Sequence, residues 1–144
     1  MKTIVWSICA LLGAVFLPCL LTFCINGRNP APDEKLSHIK TGRDVLIQTS
    51  DGNHLIDVEQ YVAGILPGLV DASADDSYLQ AQAVAIRTRV YYAMGEATVI
   101  QADQMEFQYY TEADYIAKWG KNKYKAIKER YEQAVISTCG KIIE

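Results

Sequence analysis

An alanine-rich stretch near the middle of the chain, residues 78–92, places the strongest constraint on the fold. Its apolar residues recur at the spacing of one helical face: Leu79, Ala83, Ile86 and Val90. Acidic and serine residues at 75–77 supply N-terminal capping chemistry, and Gly95 stands where a left-handed residue ends a helix. Because alanine lies on several faces, other backbones can approach closely. We therefore predict a central, largely buried helix.

Polar residues inside this helix, Gln82 and Arg87, are candidate site residues. Buried polar groups need partners, so two interpretations stay open. Either the side chains bond to neighbouring carbonyls and form structural ion pairs, or they orient a substrate at a site.

The segments around this helix combine strands and helices, which predicts an α+β fold. Residues 45–49 and 53–57 are β-type runs on either side of a turn that contains Gly52, which predicts a hairpin. Asp57 can cap a helix over 58–65, which Pro67 and Gly68 are expected to end, leaving an apolar loop at 66–70.

The second half of the chain predicts a brief strand at 98–102 and two more helices. Thr111 and Asp114 have the spacing of a capping box for a helix that ends at Trp119. Apolar positions then recur at helical spacing over 124–138, and residues 141–144 are expected to begin a strand. The region is rich in aromatic residues, which either stack on sugar rings or are half-buried core: Tyr109, Tyr110, Tyr115, Trp119 and Tyr124.

The first residues of the chain predict a membrane anchor. Residues 4–25 contain no charged side chain, and a helix of that length at ~1.5 Å per residue spans a bilayer core of roughly 30 Å. No small-x-small cleavage site follows, which favours an uncleaved anchor over a signal peptide. We therefore divide the chain into an anchor at 1–28, a polar, proline-containing linker at 29–43, and a domain at 44–144.

Charge and metal-ligand content exclude several function classes. The part of the chain after the anchor holds all 17 Asp and Glu residues, and the whole chain has a formal net charge of −3, so nucleic-acid binding is not expected. Cys139 is the one cysteine outside the predicted span, and His38 and His54 are the two histidines. Their positions lack metal-ligand spacing, so we expect no metal and no cofactor.

Two motifs resemble the domain shared by stage II sporulation protein D and the amidase enhancers (the SpoIID/LytB domain). They are the segment YVAGIL at 61–66 and the segment LQAQAVAIRTR at 79–89, with a weaker match at 133–141. The resemblance implies work on peptidoglycan outside the cytoplasmic membrane, with glycan strands or a cell-wall hydrolase as partner. It therefore places this chain as a single-pass membrane protein with an extracytoplasmic domain, which the family pattern suggests is incomplete at Glu144.

The resemblance also locates a departure from the active members, which cleave glycan as lytic transglycosylases. Those members carry a catalytic glutamate after the glycine motif, and an ungapped count from Gly64 places Leu69 there. Leucine cannot transfer a proton, and Asp71, two residues on, is a weak candidate for a substitute acid. Three hypotheses follow: a non-catalytic peptidoglycan- or partner-binding protein, an active transglycosylase using Asp71 or another acid, and a truncated fragment without function.

Overall fold

The computed structural model describes residues 32–144, and Pro32–Glu144 forms one compact unit. Its elements in chain order are α1 (Pro32–Ser37), β1 (Asp44–Thr49), β2 (Gly52–Asp57), α2 (Val58–Leu69), α3 (Asp76–Met94), β3 (Val99–Gln101), a 3-10 turn (Ala102–Gln104), α4 (Glu112–Trp119) and α5 (Tyr124–Ser137). Helices and one small sheet occur together, which confirms the α+β class. No helix within 32–144 has the length and apolar character needed to cross a membrane. The predicted span at 4–25 lies outside the described residues.

The predicted hairpin is confirmed and forms two strands of the sheet. β1 pairs antiparallel with β2, and Thr49 faces Gly52 across a two-residue turn. β3 adds to the other edge of β1 in parallel, giving the order β2-β1-β3. Val45 and Ile47 alternate along β1 and are buried, so one face of the sheet contributes to the core.

Helix α2 begins as predicted but is longer than predicted. Asp57 accepts a hydrogen bond from the Glu59 N–H at 2.9 Å, as an N-cap should. The prediction that the helix ends before Pro67 was wrong, because α2 continues to Leu69. The Lys118 ammonium donates to the Pro67 carbonyl at 2.8 Å, and the Val70 N–H donates to the Leu66 carbonyl, so carbonyls of the last turn are satisfied.

Helix α3 confirms the predicted central helix, with Gly95 at its C-terminal end (φ 54°). The prediction that it is largely buried was wrong. One stripe is buried, whereas Ala81 and Ala85 are exposed. Within 32–144, α2 and α5 pack on the same side of α3, and this explains the one-sided burial.

The two C-terminal helices follow the sequence signals closely. The capping box between Thr111 and Asp114 is present at the start of α4, and α5 ends at Ser137. The predicted strand at 141–144 is absent from the structure. The Ile143 N–H instead donates to the Thr88 hydroxyl at 2.9 Å, which holds this segment along α3.

Helix α1 lies inside the interval 29–43 that the sequence assigned to a linker. Leu36 is buried in the same core as α2 and α5. The compact unit Pro32–Glu144 therefore includes this helix.

Candidate functional site

Leu69, which the count from the glycine motif aligns with the family's catalytic acid, lies at the C-terminal end of α2. Leu69 is the last residue of that helix, and 51% of its surface is exposed. It therefore does not pack down as core, as its neighbours Leu66 and Val70 do. The side chain at this position is a surface hydrocarbon with no proton to transfer.

Asp71, the candidate substitute acid, has an environment that favours its ionised form. It is exposed and accepts hydrogen bonds from the Ser73 N–H at 2.7 Å and the Ser73 hydroxyl at 2.6 Å. These hydrogen bonds are the largest cause of the lowered pKa of Asp71, and nearby Lys118 adds to them. A general acid at this position needs a raised pKa, so this geometry opposes acid catalysis by Asp71.

The aspartates at the start of α3 have structural roles. Asp75 is the N-cap residue through its backbone, although its side chain makes no capping hydrogen bond. Asp76 pairs with Arg130 at 2.8 Å, and Arg130 also donates to the carbonyls of Ala72 and Ala74. Arg130 thus joins α5 to the connection between α2 and α3.

Arg87 and Glu59 form a fully buried ion pair. The Arg87 Nε lies 2.8 Å from Glu59 Oε1, and its Nη2 lies 2.7 Å from Oε2. Both side chains are 0% exposed. Glu59 lies in the first turn of α2, a common place for an acidic residue, and in the structure it is the partner of Arg87.

The same arginine also reaches the end of the chain. Arg87 donates to the Lys141 carbonyl at 3.0 Å and to the Val135 carbonyl at 3.3 Å. A guanidinium held in this way faces no surface where a substrate could contact it. This environment is that of a structural group, and the substrate-binding role of Arg87 stays a prediction. Gln82 lies half-buried on α3, and its substrate role stays a prediction.

A cleft of about 230 Å³ lies along α2, on the side of Gly64. Helices α1 and α5 and the segment that precedes α4 form its other walls. Its lining residues are Leu36, Ser37, Gln60, Ala63, Gly64, Tyr109, Tyr110, Tyr115, Lys128 and Glu132. We call it the Gly64 cleft.

Gly64 is required because the segment before α4 lies directly on α2. A Cβ at this position would overlap the Tyr109 ring, and the Tyr110 N–H donates to the Gly64 carbonyl at 2.8 Å. The Tyr109 ring also stacks on Tyr61, with 6.1 Å between ring centroids. The glycine of the YVAGIL motif therefore permits a close crossing of two segments and shapes the cleft.

Charged groups of α5 stand at the wall of the Gly64 cleft. Glu132 is 4% exposed, and Lys128 Nζ lies 3.5 Å from its Oε1. Burial raises the pKa of Tyr109, while Lys128 lowers it and Glu132 raises it, so all three groups interact electrostatically. The cleft thus combines a carboxylate, an ammonium and a phenol with the amide of Gln60.

The aromatic residues that the sequence offered for sugar stacking fall into two groups. Tyr115 and Tyr124 are buried, and Tyr115 packs against the rings of Trp119 and Tyr131. Tyr109, Tyr110 and Trp119 are half-buried, and Tyr109 and Tyr110 line the cleft together with Tyr115.

Sequence reasoning missed Gln60, Lys128 and Glu132 as cleft residues. The available signal was a Lys and a Glu four residues apart on a predicted helix, which is also the pattern of any solvated helix face. Within the described part of the chain, no group of three or more His, Cys, Asp and Glu residues is arranged to hold a metal ion.

Comparison with protein families gives a match. The sequence model of the SpoIID family (Stage II sporulation protein) matches residues 49–144, which is well over half of the chain. The chain belongs to the SpoIID family, and this confirms the resemblance that the two motifs predicted. Comparison with curated proteins gives no significant match.

Proposed function

We propose that this member of the SpoIID family binds peptidoglycan glycan strands, alone or together with a cell-wall hydrolase, without cutting them. The family is related to sporulation and the cell wall. The observation that supports the proposal is that Leu69, which the motif count aligns with the family's acid, is a half-exposed hydrocarbon at the end of α2.

Cleavage of a glycosidic bond requires a carboxylic acid that is protonated when the leaving oxygen departs. The nearest substitute in sequence, Asp71, has a lowered pKa and accepts two hydrogen bonds from Ser73. Glu59 is engaged by Arg87, and Asp76 by Arg130. Glu59 and Asp76 are thus held in structural ion pairs, and the ionised form of Asp71 is favoured, so binding without cleavage is the better account.

The location of the protein is part of the proposal. We infer that residues 4–25 anchor the chain in the cytoplasmic membrane and that the domain faces the cell wall. Support comes from the uncharged, apolar character of residues 4–25 and from the family relationship.

Co-sedimentation with glycan strands tests this function. The full chain is incubated with purified strands that lack stem peptides, with and without extracts of cell-wall hydrolases, and the pelleted fraction is measured. We expect the chain to pellet with the strands. A chain that stays in the supernatant under both conditions would contradict the proposal.

Asp71→Asn serves as the matched variant for the catalytic alternative. Asp71 is exposed, so this variant is expected to bind and fold like the wild type. If the wild type released soluble fragments from the strands and Asp71→Asn did not, the chain would be an enzyme that uses Asp71.

A further inference from the structure

We propose that the Gly64 cleft holds one uncharged sugar residue of a bound glycan strand. This inference depends on the proposed function. It assigns the contact between protein and glycan strand to a cleft that is distinct from the Leu69 end of α2. The cleft is walled by α1, α2, α5 and the segment that carries Tyr109 and Tyr110.

The size of the cleft limits the ligand to a small group. Its volume is about 230 Å³, below the roughly 300–1,000 Å³ of sites that enclose drug-sized ligands. One ring of a polymer is of suitable size, while the rest of the strand would lie outside the cleft.

The charges of the cleft favour an uncharged ligand. Among the lining residues that the structure describes, the charged ones are one carboxylate, Glu132, and one ammonium, Lys128, which lie 3.5 Å apart. A sugar hydroxyl both donates and accepts, so it can bond to an acceptor-only carboxylate and to a donor-only ammonium at once. The chain as a whole is acidic, which disfavours anionic ligands.

Stability does not explain why this pair stands at the cleft. A carboxylate that is 4% exposed carries a desolvation cost, and apolar side chains of similar volume usually fill such a position without loss of stability. A few fixed polar groups among aromatic side chains are typical of ligand sites. Gln60, half-buried on α2, adds an amide that can donate and accept.

A matched pair of glutamine variants tests the assignment. Gln60→Ala removes an amide from the cleft, and Gln133→Ala removes one from a separate cleft near Arg130. Both replacements insert a good helix former into a helix, so both full-length variants are expected to fold, and circular dichroism checks this. We expect Gln60→Ala to weaken strand binding about fivefold to tenfold, as loss of a ligand hydrogen bond does, and Gln133→Ala to bind like the wild type.

Free N-acetylglucosamine is the second probe, with D-alanyl-D-alanine as a zwitterionic comparison. Competition by N-acetylglucosamine, and not by the dipeptide, supports the inference. Stronger competition by the dipeptide would overturn it, because the charge pair would then recognise an amino-acid end.

The inference and the proposed function fail in different ways. If the wild type binds strands and Gln60→Ala binds equally well, the inference is overturned and the proposed function stands. If strands do not bind but N-acetylglucosamine perturbs the NMR signals of Tyr109 and Tyr110, the proposed function and the strand contact both fail, and the cleft is a site for a free sugar only. If neither ligand binds, both fail.

Discussion

Replacement of Glu59 by glutamine tests the buried ion pair on which the packing of α2 against α3 depends. The wild-type carboxylate accepts hydrogen bonds from Arg87 at 2.7 and 2.8 Å, and both side chains are 0% exposed. Glutamine keeps the shape but removes the charge and turns an NH2 group toward the guanidinium donors. The arginine is then a buried charge without a counter-ion, which costs about 3–5 kcal/mol.

The predicted loss is a large fraction of the stability of a small domain, which is about 5–15 kcal/mol. At roughly 4 °C per kcal/mol, the melting temperature should fall by about 12–20 °C. Urea unfolding of the full chain, followed by far-ultraviolet circular dichroism, measures the free energy directly.

Asp76→Asn is the matched control, because Asp76 and Arg130 form a pair of almost equal length, 2.8 Å, with a side chain that is 76% exposed. Its loss should cost at most about 1 kcal/mol. Equal effects of Glu59→Gln and Asp76→Asn would refute the argument, because burial would then add nothing to the pair.

Three further predictions concern the Gly64 cleft and the buried tyrosines. Gly64→Ala should destabilise the domain by about 1–3 kcal/mol, because its Cβ overlaps the Tyr109 ring. Gly68→Ala should be close to neutral, because its Cβ would stand 3.1 Å from an atom of the Tyr110 ring. Equal urea midpoints of the two variants would contradict this difference. Tyr61 and Tyr131 are both 0% exposed, but the Tyr131 hydroxyl donates to the Val70 carbonyl at 2.7 Å, whereas the Tyr61 hydroxyl has no hydrogen-bond partner among the described residues. Tyr131→Phe should therefore cost about 1 kcal/mol and Tyr61→Phe should be neutral or stabilising, and a marked loss in Tyr61→Phe would reveal a partner for its hydroxyl. Burial raises the pKa of both phenols from 10.0 to about 12, so the folded state holds their protons more tightly. Stability should be complete below pH 10 and fall as pH rises through 12, by roughly 3 kcal/mol for each tyrosine. Unfolding at a series of alkaline pH values checks this, and a flat profile across that range would contradict it.

Local signals in the sequence predicted most elements of the fold. Asp57 as a cap, the Thr111 capping box and Gly95 after α3 each act over a few residues, and each has its predicted role or position. The hairpin is also present, although Gly52 is the first residue of β2 and directly follows the two-residue turn. The predictions from the sequence were wrong where a residue distant in the chain determines the local structure. The continuation of α2 through Pro67 depends in part on Lys118, 51 residues away.

The candidate site was predictable to a smaller extent, for the same reason. The motif count located Leu69 and Asp71, but the hydrogen bonds from Ser73 that lower the pKa of Asp71 depend on the turn conformation. Glu59 looked like any acid in a first helical turn, because its partner Arg87 lies 28 residues away. The Gly64 cleft joins segments at 60–64, 109–110 and 128–132, which only the tertiary structure brings together.

The end groups of glycan strands incubated with the full chain test the central claim most directly. A lytic transglycosylase leaves an anhydro ring on each strand that it cuts, and mass spectrometry counts these rings. With Leu69 in place of the acid, we expect strands that bind to the protein and keep their original length and end groups. Anhydro ends that accumulate with time and with protein concentration would contradict the account.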